Sequence, residues 1–294
     1  MTFIEQSFYA LHDTEYTRVV YSEWGPKNGD PVICVHGLTG NGQEFDIIAE
    51  HLSSHGYRVL AIDLPGRHRS DDLKNPDGYA YSFYVQILNN LLIHAGIDRP
   101  NSVHWIGTSL GGLLGMRMAG IENSPIKSLI LNDIGPHVPE EDLRMIDTYL
   151  AYSYEFDTLE QYKTFMIEGK KPNYGPMKDE HWDKMLSYCA RKLPNGKITS
   201  TYDPEIKHVF AKEPIGEYPL WPYWDRITCP TLILRGGKST LFPQSVADEM
   251  MVRGPGKENL CTFIRWDECG HVPSLMDEGQ IQTIETWLTE IQKA

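Results

Sequence analysis

The chain has 294 residues, of which 41% are hydrophobic and 23% charged, and carries a formal net charge of −13 at pH 7. That length and apolar content suit one large globular domain, or one domain with an insertion, and exclude a disordered chain. The acidic balance argues against nucleic acid or an anionic membrane as a partner, because either needs clustered Lys and Arg.

No apolar run approaches the roughly 18 to 20 residues that span a bilayer. Residues 1–17 carry acids where a secretory leader has a basic stretch and then an apolar one, so the expected location is the cytoplasm. Cys34, Cys189, Cys229, Cys261 and Cys269 lack CxxC spacing, and reduced thiols packed as small hydrophobes are expected.

Residues 17–24 alternate and carry β-branched and aromatic side chains, which predicts a strand leading into the turn-forming residues 25–30. The short continuous apolar run 31–36 has the pattern of a strand covered on both faces and ends in His36-Gly37-Leu38-Thr39-Gly40. A helix over about 43–55 precedes a second buried run, 57–63, closed by Leu64-Pro65-Gly66. A further helix, about 81–95, leads to the run Val103-His104-Trp105-Ile106.

That run ends in Gly107-Thr108-Ser109-Leu110-Gly111-Gly112, which reads as strand, sharp turn, helix. At the apex Ser109 is forced into a tight conformation, and Gly107 and Gly111 leave room where side chains would collide. Leu110 opens the helix, so its free N–H and the positive end of the helix dipole point toward any oxyanion formed at Ser109. Taken alone, the same spacing also occurs in ordinary loop serines.

After a short apolar strand, 128–133, that ends in Asn132-Asp133, the strand and helix rhythm breaks until about Pro222. Pro139-Glu140-Glu141-Asp142 reads as a helix start, Thr158-Leu159-Glu160-Gln161 as a capping box for a helix stopping at Gly169, and 177–191 as a third helix. This stretch is rich in Tyr, Trp and Met and has no buried-strand run. A helical lid over 136–222 is expected, inserted between core parts 1–135 and 223–294. Tyr149, Phe156, Phe165 and Trp182 are candidates to line an acyl pocket.

Past Tyr218-Pro219-Leu220-Trp221-Pro222 the rhythm resumes with a strand over 230–236, a helix from Gln244, a strand over Cys261–Trp266 and a last helix from about Asp277. The order predicts an α/β fold: a doubly wound, mainly parallel sheet with helices on both faces and its chemistry at the carboxyl ends of the strands.

With these pieces in order, the chain resembles the α/β-hydrolase superfamily over nearly its whole length outside the lid. Gly107-Thr108-Ser109-Leu110-Gly111 is similar to the family's nucleophile elbow, and Asp63-Leu64-Pro65-Gly66 to its D-x-P-G turn. His36-Gly37-Leu38 looks like the HG motif, which makes the Leu38 N–H one half of an oxyanion hole and the Leu110 N–H the other. Gly270-His271 looks like the final histidine. The resemblance thus implies Ser109 as nucleophile, made reactive by His271 taking its proton and returning it to the leaving group.

The sequence departs from the family at the third member. The acid usually follows the seventh strand, but here that loop reads Gly236-Gly237-Lys238-Ser239-Thr240-Leu241, and no Asp or Glu occurs between Asp225 and Asp248. Three readings are open. Some relatives place the acid after the sixth strand, where Asp133 stands; Thr240 holds the imidazole by a neutral hydrogen bond; or catalysis has been lost. Asp133 is the best substitute, against its plainer reading as a strand-end residue capping a turn.

Among other polar residues, His68 lies in a loop whose flanking cations oppose a metal site, His104 reads as a packed core histidine, and Arg235 and Lys238 read as surface charges. The expectation is a serine hydrolase cleaving a small carboxylic ester through an acyl-enzyme at Ser109, with a small-molecule ester-like partner and no metal or organic cofactor. A lactonase, a thioesterase or a carbon–carbon bond hydrolase would use nearly the same parts. From another class, a ligand-binding or scaffold protein with weakened catalysis fits the missing acid.

Overall fold

The computed structural model describes residues 3–150, 152, 154–209 and 220–293. Its centre is an eight-stranded sheet built from β1 (Ile4–His12), β2 (Glu15–Trp24), β3 (Asp30–Val35), β4 (Tyr57–Asp63), β5 (Val103–Thr108), β6 (Ile126–Asn132), β9 (Thr231–Gly236) and β10 (Cys261–Trp266). A separate two-stranded hairpin consists of β7 (Ala190–Lys192) and β8 (Ile198–Ser200). The spatial order of the sheet is β1-β2-β4-β3-β5-β6-β9-β10, with the β1/β2 and β2/β4 pairs antiparallel and the rest parallel.

The continuous apolar runs follow from burial on both faces. Val32 and Cys34 of β3 pack with Ile106, Ile130 and Leu232 against α1 (Asp46–Ser54) and α9 (Glu278–Ile291). Their neighbours Ile33 and Val35 point the other way, with Leu60, Trp105 and Leu129, toward α2 (Tyr81–His94) and α3 (Leu110–Ala119). Successive strand residues face opposite sides, so a strand between two helical layers is apolar almost throughout, and its polar exceptions pair with each other, as His104 and Ser128 do.

Between β6 and β9 lie α4 (Glu140–Leu150), α5 (Leu159–Tyr174), α6 (Asp179–Cys189), the β7/β8 hairpin and α7 (Trp221–Trp224); α8 (Gln244–Met250) follows β9. The capping box forms as expected, Thr158 accepting from the Gln161 N–H while the Gln161 side chain reaches back to the Thr158 N–H. Two expected boundaries move. Helix α5 continues through Gly169 to Tyr174 and stops at Gly175, whose φ of 78° suits glycine. The third helix stops at Cys189, and residues 190–192 form strand β7 instead. Tyr218 and Pro219, expected near the end of the insertion, lie outside the described residues.

This inserted segment has its own core of Tyr162, Met166, Trp182, Met185 and Tyr188, which meets the sheet domain through Met276 and Ile47. No helix among the described residues is long and apolar enough to cross a membrane, and all five cysteines are free thiols.

Candidate active site

β5 is buried at every position and ends at Ser109, from which α3 begins. Ser109 has φ 49° and ψ −112°, a region that a residue with a Cβ occupies only under strain. The surroundings hold it there. A Cβ on Gly107 would strike the backbone of Gly111 and Gly112, and one on Gly111 the backbone of Val35. The Ser109 N–H donates to Asn132 O over 3.1 Å, and the Ser109 carbonyl accepts from Gly112 and Leu113 at 2.9 and 3.0 Å. Leu110 is the first helical residue, so its N–H has no intrahelical acceptor and lies at the positive end of α3.

His271 sits in the loop between β10 and α9. Its Nδ1 lies 2.6 Å from Asp133 Oδ2 and its Nε2 3.2 Å from Ser109 Oγ. An ionised carboxylate only accepts, so Nδ1 carries the proton and Nε2 is left to accept from the Ser109 hydroxyl. Ser109, His271 and Asp133 therefore stand in one hydrogen-bonded line.

Asp133 follows β6, is fully buried and has φ 54°. Its Oδ1 accepts from the Gly236 N–H at 2.7 Å, and its Oδ2 from Ser239 Oγ at 2.6 Å as well as from His271. Such a carboxylate is tolerable in the interior because donors surround it. The register explains the meeting: β6 and β9 are adjacent parallel strands with Asn132 opposite Leu234, so the residue after β6 lies beside the end of β9. The loop after β9 contributes donors to the acid. Thr240 turns away, its hydroxyl donating to Asp142 Oδ1 of α4 at 2.7 Å.

Arg235, expected as a surface charge, is buried. Its guanidinium donates to the carbonyls of Phe242, Ser239 and Gly237 at 2.8, 3.1 and 3.4 Å, and so shapes the loop that brings Ser239 to Asp133. Arginine's five donors in a rigid fork suit this use of backbone acceptors. Lys238 is exposed.

The loop after β3 is held from behind. His36 is fully buried; burial, reinforced by the Arg67 charge, depresses its pKa from 6.5 to about 3, so the ring is neutral. Its Nε2 accepts from the Leu64 N–H at 3.0 Å and its Nδ1 donates to Gly37 O at 2.6 Å. Gly37 C=O and Leu38 N–H belong to one planar peptide and point in opposite directions. Fixing the carbonyl toward His36 therefore fixes the Leu38 N–H the other way. Arg67 Nε donates to Leu38 O at 3.0 Å, and a Cβ on Gly37 would lie 3.6 Å from Ser109 Cβ, which places this peptide beside the serine. Asp63 joins the same loop by accepting from the Gly42 N–H at 2.7 Å.

Asn132 has a part the sequence did not signal beyond a polar strand end. Its amide donates to Thr108 Oγ1 at 3.2 Å and to Pro273 O at 2.9 Å, tying the serine turn to the histidine loop. His104 is buried between Ser128 and Asp30, as a core histidine is. His68 pairs with Gln43 Oε1 at 2.5 Å. Among the described residues no group of three or more His, Cys, Asp or Glu is placed to hold a metal ion. Of the four insertion aromatics, Trp182 is buried and stacks on Tyr174, Phe156 packs on Phe165, and Tyr149 packs on Tyr154 while remaining partly exposed.

Residues 30–275 match the family model described as the alpha/beta hydrolase fold. The chain belongs to the α/β-hydrolase family. This hydrolase is 31% identical over 281 residues to the 3-hydroxybutyrate-oligomer hydrolase of Cupriavidus necator, an alignment covering 92% of this chain and 93% of that one. It is 26% identical over 231 residues to an esterase of Mycobacterium tuberculosis, covering 74% and 68% of the two chains. Among solved structures, a hydrolase from Rickettsia typhi, described as putative, gives a TM-score of 0.86 at 30% identity over 99% of both chains. An α/β hydrolase from Novosphingobium aromaticivorans gives 0.84 at 29% identity over 98% of both.

Proposed function

We propose that this α/β-hydrolase is a serine esterase that cleaves a small carboxylic ester through an acyl-enzyme, and that short esters of hydroxy acids are its substrate class. The observation that carries the reading is the line from Ser109 Oγ through His271 to the buried Asp133 carboxylate. The similarity to a 3-hydroxybutyrate-oligomer hydrolase over 92% of this chain supports the substrate class.

In this reading Ser109 Oγ attacks the ester carbonyl as its proton passes to His271 Nε2, 3.2 Å away and within reach for general-base transfer. Asp133 keeps the imidazole in the tautomer that accepts at Nε2 and stabilises the imidazolium that forms. The carbonyl oxygen gathers negative charge between the N–H groups of Leu38 and Leu110. They act through backbone and are positioned beforehand; losing one such donor costs on the order of 3 kcal/mol. Collapse expels the alcohol, protonated by His271, and water repeats the sequence to release the acid. In this reading the inserted segment, whose Asn173 and Tyr174 carbonyls accept from the loop on either side of His271, serves as a lid on the site.

The test is hydrolysis of a series of p-nitrophenyl acyl esters and of linear 3-hydroxybutyrate oligomers, with Ser109→Ala as the blank. Turnover that vanishes in the blank supports the reading, and the acyl-length profile maps the pocket. Ester turnover that persists in Ser109→Ala, or folded protein inert toward both substrate sets, would falsify it.

A further inference from the structure

Lys170 lies on the inner side of α5 with 23% of its side chain exposed. Its ammonium donates to Tyr174 Oη at 2.6 Å and stands 4.8 Å from the centre of that ring. Its acidic partner among the described residues, Glu44, is 4.0 Å away, too far for a hydrogen bond. An ammonium has three N–H donors, and Tyr174 takes one. Burial opposes the charge, but Tyr174 and Glu44 outweigh it, so the lysine stays protonated. Glu44 is itself pushed up by burial, which Lys170 offsets only in part. The pair is not self-sufficient.

A second unfilled group stands close by. The Tyr188 hydroxyl is buried and has no hydrogen-bond partner among the described residues, and it lies in the field of Glu44, Tyr174 and Asp46. A buried hydroxyl without a partner is costly, and native structures seldom leave one without a reason.

This spot is next to the proposed machinery. One turn beyond Lys170, Asn173 O and Tyr174 O accept from the N–H groups of Gly270 and Ser274, on either side of His271, at 2.9 and 3.3 Å. On the other side, the Glu44 carboxyl packs against Gly40, whose N–H donates to Gly37 O. The ammonium thus stands between the loop bearing His271 and the loop bearing Leu38.

We infer that Lys170 binds a substrate carboxylate, so that the preferred substrates are esters bearing a free carboxylate, such as linear oligomers of a hydroxy acid; this rests on the ester-hydrolase reading of Ser109. A single ammonium with spare donors suits a monoanion. The acidic surface supplies no general attraction for anions, so recognition has to be local. The Tyr174 hydroxyl, which accepts from the ammonium, has its own proton to donate at the same point.

The experiment measures binding apart from turnover. Ser109→Ala protein is titrated calorimetrically with the linear 3-hydroxybutyrate dimer, as the free anion and as its methyl ester. The anion is expected to bind at least ten-fold tighter. Adding Lys170→Met should weaken the anion ten- to a hundred-fold and collapse that ratio toward one, whereas Lys170→Arg retains most of it. Equal binding of anion and methyl ester, binding of neither, or equal weakening of both by Lys170→Met overturns the assignment. Where Lys170→Met fails to fold, Lys170→Gln is read in the same way. An anion preference that depends on Lys170, in a protein whose unsubstituted form hydrolyses no ester, sinks the esterase reading and leaves the carboxylate site standing. Ester turnover without that preference does the reverse.

Discussion

The Ser239 hydroxyl donates to Asp133 Oδ2 over 2.6 Å, on the oxygen that also faces His271 Nδ1. Asp133 is fully buried and has three donors, so each weighs on how the carboxylate is held. Hydrogen bonds to charged groups contribute about 1.5–3 kcal/mol. Ser239→Ala is expected to lower kcat by roughly ten-fold with little change in KM, and to lower Tm. Steady-state kinetics and thermal melts on one preparation check both, and unchanged values would mean that the hydroxyl is passive.

Asp133→Asn keeps the shape of the site but removes the charge that orients His271. The expected loss in kcat is on the order of 10³- to 10⁴-fold, as for other orienting acids. Adding Thr240→Asp should not restore activity, because the Thr240 hydroxyl points at Asp142 and a carboxylate there would face another carboxylate. Full activity in folded Asp133→Asn would remove Asp133 from the mechanism.

His36 gives a pH signature in stability. Its pKa in the folded chain is about 3, against an ordinary 6.5. Between these values the unfolded chain takes up a proton that the native chain refuses, so stability is lost as pH falls through that window. One such group gives a slope of about 1.4 kcal/mol per pH unit. In urea unfolding at pH 6, 5 and 4, His36→Gln should show a shallower decline than the unsubstituted protein. The variant should also lose about ten-fold or more in kcat, because it disturbs the peptide that aims the Leu38 N–H.

Ser109→Gly separates strain from chemistry. Ser109 holds φ 49°, which glycine adopts without penalty, and such strain costs on the order of 1–3 kcal/mol. The variant is expected to melt a few degrees higher while losing all ester hydrolysis, and differential scanning calorimetry decides. A lower Tm would show that the hydroxyl contributes more to the fold than the turn costs.

Much of the fold was legible because two-sided burial leaves so plain a mark: β4 falls on the run 57–63 and β9 on the run 230–236 as read from sequence. β1 was not predicted. It is an edge strand with Ile4, Tyr9 and Leu11 exposed, so its apolar residues do not report which face is covered. Asp133 was visible as a strand-end acid, but its contact with a histidine 138 residues away is a matter of distance that only strand register settles. Arg235 was misjudged because arginine is exposed by habit, and three loop carbonyls that need a donor leave no pattern in sequence.

The bonds from Gly270 and Ser274 to Asn173 and Tyr174 bear on molecular traffic. If the insertion lifted as one body, the loop holding His271 would lose these two bonds and keep those from Lys238 to Cys269 O and from Asn132 to Pro273 O, so a wide opening would leave His271 less firmly held. At the α4 end the insertion meets the sheet domain through the Thr240 to Asp142 bond, which does not touch the histidine loop. If substrate passes at the α4 end, the bonds on either side of His271 stay in place, and turnover would respond to substitutions along α4 while the line from Ser109 through His271 to Asp133 is unchanged.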